Sequence, residues 1–272
     1  MAFLGILVLI GVRGFSNRES FQKAGLSGGR FMDWLLYGGA LVAFYALQAA
    51  LNRVFGLGEA VDLQATSQAL TQGELSPGVF LLLAAFNTIL IGPFLGLLFG
   101  FGEEYGWRVY LQRELVRLGR VRGIALLGII WGIWHYPVIL MGHNYPGYPV
   151  AGMFLMTGYT LVLGFVLGYV MLKTGAVWLV AWLHALNNQT LSFFNSLVYQ
   201  PDHPVFSFGT GLYGLAVGAL VVGFILLDPI WREGPGMPVG SSEELLPVDS
   251  EVETPLNPVS YTHLTLPTNR EV

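Results

Sequence analysis

Residues 78–108 read GVFLLLAAFNTILIGPFLGLLFGFGEEYGWR, and this stretch decides the class of fold. Its first part, 78–102, contains no charged residue and is long enough to cross the roughly 30 Å hydrocarbon core of a bilayer as a helix. Two adjacent glutamates, Glu103 and Glu104, end the apolar run, and Arg108 follows. Because ionisable groups at membrane depth are costly, they indicate a functional site by default.

The composition of the whole chain also indicates a membrane protein. Of its 272 residues, 54% are hydrophobic and 11% are charged, and the mean hydropathy is +0.60. A soluble domain of this composition would expose a continuous apolar surface, so we predict an integral membrane protein. The net charge of −4 says little about partners, and we expect contact with the lipid bilayer and none with nucleic acid. The absence of cysteine excludes disulfides, thiolate zinc sites and cysteine nucleophiles.

The predicted fold is all-α, a polytopic transmembrane bundle of about seven to eight helices. Six apolar segments are each about twenty residues long, which is enough to span a membrane. A further segment at 2–12 is too short to span and lacks a signal-peptide cleavage site, so its status is open. The six segments are 31–51, 78–102, 122–141, 151–172, 175–199 and 209–231.

The chain divides into a transmembrane helical domain at 1–232 and a tail at 233–272. The tail is rich in Pro, Glu, Ser and Gly without apolar periodicity, and we predict that it is disordered. Its last part, SYTHLTLPTNREV at 260–272, looks like translated vector sequence, so we exclude it, with His263, from the fold.

Basic residues predict the orientation in the membrane. If 2–12 crosses the membrane, Arg53 lies on one side and the other basic residues considered lie on the opposite side. Because basic residues are retained in the cytoplasm, the side with many basic residues is predicted to be cytoplasmic. The loops at 52–77, 142–150 and 200–208 are then outside, and a prokaryotic plasma membrane is the expected location. The residues on the basic side are Arg13, Arg18, Lys23, Arg30, Arg108, Arg113, Arg117, Arg120, Arg122, Lys173 and Arg232.

Small residues predict that the helices pack closely. Glycines at every fourth position let helix backbones approach each other in lipid. Pro93 and Pro137 are each expected to bend or end a helix. The glycines concerned are Gly92, Gly96 and Gly100, then Gly128 and Gly132, then Gly164 and Gly168.

The first polar cluster is Glu103, Glu104 and Arg108. Glu104 and Arg108 are four residues apart, so they share a helix face and can form a charge-assisted pair. Glu103 points about 100° away and is the carboxylate free to act, with Trp107 shielding it from lipid. The alternative is that both glutamates belong to an amphipathic helix at the membrane interface, whose arginines face the cytoplasmic headgroups. These arginines are Arg113, Arg117, Arg120 and Arg122.

Two further polar turns lie on later apolar segments. Trp131 and His135 are one helical turn apart, and His184 shares a face with Asn188 and lies three residues before Asn187. The alternatives are a structural histidine and asparagines that hydrogen-bond between helices as part of the packing. Together the three clusters hold the groups needed for hydrolysis of a peptide by water. A carboxylate and a histidine can deprotonate water, while a second histidine and an amide donate to the oxyanion.

In this order, the three motifs resemble the CPBP family of intramembrane endopeptidases, which includes the CAAX prenyl protease 2 (Rce1-like) enzymes. The resemblance covers roughly 80–200. It implies a substrate that is a peptide or protein, with or without a prenyl group, and no cofactor. The chain differs from the family pattern at Trp131, where phenylalanine is more common. We expect this difference to affect packing more than chemistry. The motif residues are Glu103, Glu104, Arg108, Trp131, His135, His184 and Asn188.

The resemblance also implies roles for the site residues. Glu103 and His135 activate the water, and His184 with Asn188 forms the oxyanion site. The architecture of that site is then supported by Glu104 and Arg108.

Three other functions stay open on the sequence. Glu103, Glu104, His135 and His184 are ligand types that suit a divalent metal such as zinc or manganese, which would give a metal-dependent membrane hydrolase. A proton- or ion-coupled transporter uses similar groups, although no inverted repeat is evident. The third alternative is a binding scaffold without activity. No His-Glu-x-x-His sequence occurs, so the usual zinc-protease helix is absent.

Overall fold

The computed structural model describes residues 25–237. The predictions for the apolar segment 2–12, for Arg13, Arg18 and Lys23, and for the tail beyond residue 237 lie outside the described residues.

Helices dominate the described part of the chain, and the predicted all-α membrane bundle is confirmed. Two short strands, β1 (Gly58–Ala60) and β2 (Tyr199–Pro201), pair antiparallel with Gly58 opposite Pro201. A 3₁₀ turn at Pro229–Arg232 follows the last helix. The seven helices of 25–237 are α1 (Phe31–Val54), α2 (Leu63–Thr71), α3 (Pro77–Leu118), α4 (Arg120–Leu140), α5 (Pro149–Thr174), α6 (Val177–Phe193) and α7 (Leu212–Ile225).

Four of these helices, α1, α3, α4 and α5, are long and apolar enough to cross a membrane. By contrast, α6 is the central helix, because every side chain from Leu179 to Asn187 is buried by its neighbours. A polar turn on α6 is therefore surrounded by protein rather than by lipid, which is the arrangement that membrane helices require.

Two predicted apolar segments differ in extent from the helices that contain them. The helix that contains 78–102 continues as α3 to Leu118, in agreement with the helical spacing predicted for Glu104 and Arg108. The segment predicted at 209–231 is helical only over Leu212–Ile225. Asp228 there adopts an extended conformation, and its carboxylate accepts from the backbone N–H of Ile230, which begins the 3₁₀ turn.

Both predicted proline effects are visible as interruptions of helix geometry. In α3, Pro93 follows a π-helical turn at Asn87–Ile91, which removes the need for the hydrogen bond that proline cannot donate. In α4, the regular helix ends at Trp134, and a short piece containing Pro137 continues from Tyr136 to Leu140.

The glycine pattern does bring helix backbones together. A Cβ atom at Gly100 would lie 2.6 Å from the carbonyl oxygen of Ala181, so α3 and α6 touch there. Likewise, a Cβ atom at Gly128 or Gly132 would lie 2.8 or 2.7 Å from a Cα atom of α5. The three glycine repeats thus hold α3 on α6 and α4 on α5.

The bundle has two chemically different ends. We call one the basic end: it contains the α3–α4 corner, the α5–α6 corner and the 3₁₀ turn. Arg120 joins the first and last of these, since its side chain donates to the carbonyl oxygens of Ile230 and Gly236. We call the other the hairpin end: it contains the β1–β2 pair and the loops at 141–148 and 202–211, whose Tyr148 and His203 rings lie 4.8 Å apart.

Candidate active site

A buried group of three charged or ionisable side chains supports the site. Nε of Arg108 donates to Oε2 of Glu104 at 2.6 Å, and Nδ1 of His184 lies 2.9 Å from Oε1 of the same carboxylate. Glu104 and Arg108 are fully buried, and Nη1 of Arg108 also donates to the carbonyl oxygen of Gly164. Burying these charges is tolerable because each is paired and hydrogen-bonded.

This arrangement contains the predicted Glu104–Arg108 pair. Because Glu104 is fully buried, its burial argues against the alternative of an interfacial helix. Arg108, which the sequence places on the basic side, is also fully buried inside the bundle. The bond from Glu104 to His184 was not foreseen, because the two residues are 80 positions apart and no spacing rule links them.

Glu103 lies on a different face of α3, as its 100° offset predicts. Its side chain is half-buried, and Oε2 accepts from Nε1 of Trp131 at 3.3 Å. Trp107 packs against Trp131 and Trp134 with ring centres 6.3 Å apart in each case. The Glu103 carboxylate is therefore flanked by aromatic side chains on one side and is accessible on the other.

His135 occupies the break in α4 and has a defined tautomer. Its Nδ1 lies 2.8 Å from the carbonyl oxygen of Trp131, and since a carbonyl can only accept, Nδ1 carries the proton. Nε2 then has a free lone pair, which is the form required of a general base. The Trp134 ring meets the imidazole edge-on at 5.0 Å and restricts its orientation.

The two asparagines of α6 have different environments. Asn187 is buried, and its Oδ1 accepts from the hydroxyls of Tyr45 on α1 and Tyr159 on α5 at 2.7 and 3.0 Å. Its Nδ2 donates to Oδ1 of Asn188 at 3.1 Å. Asn188 is exposed, and because its oxygen already accepts this bond, its NH₂ group is available for another acceptor.

A polar cavity of about 670 Å³ brings the predicted site residues together. Glu103, His135, His184 and Asn188 all line it, although they come from three helices. Arg108 and Glu104 lie behind His184 and do not line it. The predicted catalytic residues thus line one cavity, and the predicted supporting residues pack behind His184 in its wall.

A metal centre has less support from the geometry. Within 25–237, no group of three or more His, Cys, Asp or Glu side chains is arranged to hold a metal ion. Both oxygens of Glu104 already have hydrogen-bond partners, so the four ligand candidates do not converge on one point.

The fold and the cavity indicate an integral membrane protein with a polar site inside its helix bundle. Residues 82–190 match the model of a protein family described as Type II CAAX prenyl endopeptidase Rce1-like. This segment contains all three motifs, so the resemblance predicted from them is confirmed over 82–190. No curated protein and no solved structure matches the chain.

Proposed function

We propose that this protein is an intramembrane endopeptidase that uses a water molecule activated by Glu103 and His135. The observation that carries the proposal is the convergence of Glu103, His135, His184 and Asn188 on one cavity. The family match over 82–190 supports peptide hydrolysis as the reaction.

In the proposed reaction, a water molecule lies between Glu103 and His135. One of these groups takes a proton from the water as its oxygen attacks the carbonyl carbon of the substrate. The tetrahedral intermediate then collapses as the C–N bond breaks, and the abstracted proton passes to the leaving amine. The products are a carboxylic acid and an amine, so one water molecule is consumed for each bond cleaved.

The oxyanion of the intermediate requires donors, which His184 and Asn188 supply. His184 uses Nδ1–H toward Glu104, so donation from Nε2 requires that the ring carry both protons. The paired carboxylate of Glu104 faces that imidazolium, while the NH₂ group of Asn188 is the second donor. Losing one such donor typically costs roughly 3 kcal/mol of transition-state stabilisation.

The proposed reaction uses no metal ion. Chelators are expected to leave cleavage unchanged, whereas a metal-dependent hydrolase would lose activity and regain it on addition of zinc or manganese.

Purified protein in detergent provides the test, with fluorogenic peptides that carry or lack a farnesyl-cysteine near the C-terminus. Glu103→Gln keeps the size of the side chain and its bond from Trp131 but removes the base, so we expect cleavage to disappear. His135→Ala and His184→Ala are expected to abolish cleavage as well.

The matched control is Glu114→Gln, which changes an exposed carboxylate on the same helix. Cleavage by Glu103→Gln at the wild-type rate would exclude the glutamate mechanism. A requirement for the farnesyl group would assign a prenylated substrate, and cleavage without it would assign an unmodified peptide.

A further inference from the structure

We propose that an apolar groove on the flank of the bundle binds one acyl chain of a membrane phospholipid, and that the bound chain supports the active site from behind. The groove lies between α1 and α7, which pack on α6 and α5 respectively, and its volume is about 410 Å³. Residues that line it include Leu41, Phe44, Val166, Leu167 and Phe224. Lipid binding is independent of the reaction, whereas the support of the site rests on the proposed peptidase function.

The wall of the groove offers an occupant few hydrogen bonds. Its polar side chains are four tyrosines and Asn187, and four of these five groups bond within the protein. The hydroxyls of Tyr45 and Tyr159 donate to Oδ1 of Asn187, and that of Tyr169 donates to a carboxylate. A non-helical peptide in this groove would leave its backbone groups unsatisfied, whereas a hydrocarbon chain needs no hydrogen bond. Because a void forfeits dispersion contacts, a groove that faces the bilayer is filled by hydrocarbon.

The groove is as deep as one leaflet of the bilayer. Along α5 it runs from Tyr159, near the middle of the helix, to Val170, one turn before its end. This stretch of helix rises about 17 Å, and half of the roughly 30 Å hydrocarbon core is about 15 Å. Leu36 of α1 and Phe224 of α7 line the groove and are exposed, so both rims face lipid. An acyl chain of the leaflet at the basic end can therefore lie in the groove along its full length.

The end of the groove at the basic end has a cation where a phosphate would lie. Lys173 follows Tyr169 by one helical turn, and its Nζ lies 5.8 Å from the centre of that ring. The exposed Lys173 ammonium donates to Asp228 at 3.0 Å in the described part of the chain, and its other N–H groups are available for a phosphate oxygen. Arg30, which pairs with Asp33, begins α1 at the same end.

The closed end of the groove lies behind the proposed oxyanion site. Tyr159 and Leu163 line both the groove and the polar cavity, so the two spaces share a wall. Asn187 also lines the groove, and its Nδ2 donates to Oδ1 of Asn188, the proposed oxyanion donor. A chain that fills the groove restrains Tyr159 and Asn187. We therefore expect a filled groove to raise kcat by keeping the amide of Asn188 in place.

Photo-leucine, a diazirine analogue of leucine, tests occupancy without a bulky label. The full chain is labelled with it during expression, reconstituted into vesicles of phosphatidylglycerol and phosphatidylethanolamine, and irradiated. Leu167 and Leu183 line the groove but are only 1% and 2% exposed, so only a molecule inside the groove reaches them. Leu127 and Leu179 are fully buried elsewhere and are the matched controls. Mass spectrometry is expected to find phospholipid adducts on the first pair and none on the second.

The other occupants are distinguishable by the mass of the adduct. Crosslinks from Leu167 or Leu183 to the apolar segment 2–12, or to a second copy of the chain, would overturn the proposal. Absence of lipid adducts there, or equal yields on the control leucines, would overturn it as well. Crosslinking does not depend on catalysis, so lipid adducts on a protein without proteolysis would reject the peptidase function and retain the lipid site.

A variant that fills the groove tests the assignment a second time. Ala40 lines the groove, whereas Ala43 is an exposed alanine of the same helix outside it. Ala40→Phe is expected to reduce the lipid adducts on Leu167 and Leu183 roughly tenfold, because its ring occupies the volume of the acyl chain. Ala43→Phe is expected to leave the adducts unchanged, and an equal loss in both variants would contradict binding in the groove.

The same variants measure the effect of the lipid on catalysis. Addition of phosphatidylglycerol to protein in detergent is expected to raise the kcat of wild-type protein and of Ala43→Phe several-fold. The kcat of Ala40→Phe is expected not to respond. Equal stimulation of all three proteins would show that the lipid acts elsewhere and would reject the support of the active site through the groove.

Discussion

Glu103 owes its orientation partly to Trp131, whose indole N–H points at the carboxylate. The two atoms are 3.3 Å apart, so the bond is long, and Trp131 itself is buried. An indole at this position thus does more than fill space: it holds the proposed base on the cavity side of α3.

Trp131→Phe keeps an aromatic ring and removes the donor. We expect kcat to fall about fivefold with KM unchanged, since one hydrogen bond contributes about 1 kcal/mol and it acts on the base rather than on substrate binding. Steady-state kinetics on the fluorogenic peptide measure both values. An unchanged kcat would return Trp131 to the purely structural role expected from the sequence.

Asn187 positions the side chain of Asn188 through a hydrogen bond, as Trp131 positions that of Glu103. Asn187→Leu preserves the approximate volume but removes the N–H that holds Oδ1 of Asn188, so the neighbouring amide is free to turn away from the oxyanion. We expect kcat to fall roughly tenfold.

The double-mutant cycle provides the control for this prediction. In an Asn188→Ala background, Asn187→Leu should cause no further loss of kcat, because the group that it positions is already gone. Equal losses in both backgrounds would mean that Asn187 acts only through packing of α6 against Tyr45 and Tyr159.

At the residue scale, sequence spacing predicted which side chains share a helix face but not their hydrogen-bond partners on other helices. The positions four residues apart correctly placed Glu104 beside Arg108 and separated Glu103 from both. The shielding of Glu103 by Trp107 stays a prediction, and the hydrogen bond to Glu103 comes from Trp131, 28 positions away, which spacing did not predict. Partners on other helices depend on how the helices pack, which no local pattern determines.

At the scale of elements, α4 and α5 pack closely against each other around Gly128. A Cβ atom there would lie 2.8 Å from Cα of Leu161 and 3.1 Å from the carbonyl oxygen of Thr160. Thr160 also donates to the carbonyl oxygen of Gly128 at 2.9 Å, so any separation of the helices stretches this bond.

Gly128→Ala should therefore destabilise the protein by about 1–3 kcal/mol through overpacking. Gly164→Ala is the matched control, because its Cβ atom would meet Cα of Gly128 at 3.5 Å, an ordinary contact. Thermal unfolding in detergent should show a lower midpoint for Gly128→Ala than for Gly164→Ala. Equal midpoints would show that the glycine repeat does not set the helix separation.

Element boundaries were harder to predict than element types. Hydropathy located α1, α4 and α5 to within a few residues, because their apolar segments coincide with their helical segments. For α3 the apolar segment is shorter than the helical segment. The helix continues through a π-helical turn at Tyr105–Leu111, which contains the buried Arg108. Backbone hydrogen bonding does not stop where apolar composition stops.

For the whole molecule, charge asymmetry also affects the choice of substrate. In the described part of the chain, four carboxylates lie near the hairpin end together with Arg53 from the last turn of α1. The carboxylates are Glu59, Asp62, Glu74 and Asp202. A surface of this sign attracts cationic segments and repels anionic ones over a distance set by salt.

We therefore expect a peptide with flanking lysines to be cleaved several-fold more efficiently than its glutamate-flanked counterpart at low ionic strength. The ratio of kcat/KM values should approach one in about 0.5 M salt, where surface charges are screened. A ratio that does not change with salt would assign any preference to contacts inside the cavity instead.

The amino-acid composition was sufficient to predict the membrane bundle, but it could not predict the cavity. The residues that line it come from α3, α4, α5, α6 and two loops, and their meeting depends on the order in which the helices pack. The arginines of the sequence predict which end of the bundle is cytoplasmic.

The Glu104–Arg108 pair has a consequence for biosynthesis. Both charges belong to α3, so they can neutralise each other as soon as that helix forms and before any later helix has left the ribosome. A lone charge near the centre of a membrane helix opposes insertion by about 3 kcal/mol, and the internal pair reduces this penalty. His184 is synthesised 80 residues later. In the proposed mechanism, the site of the nascent chain is therefore incomplete until α6 has been synthesised.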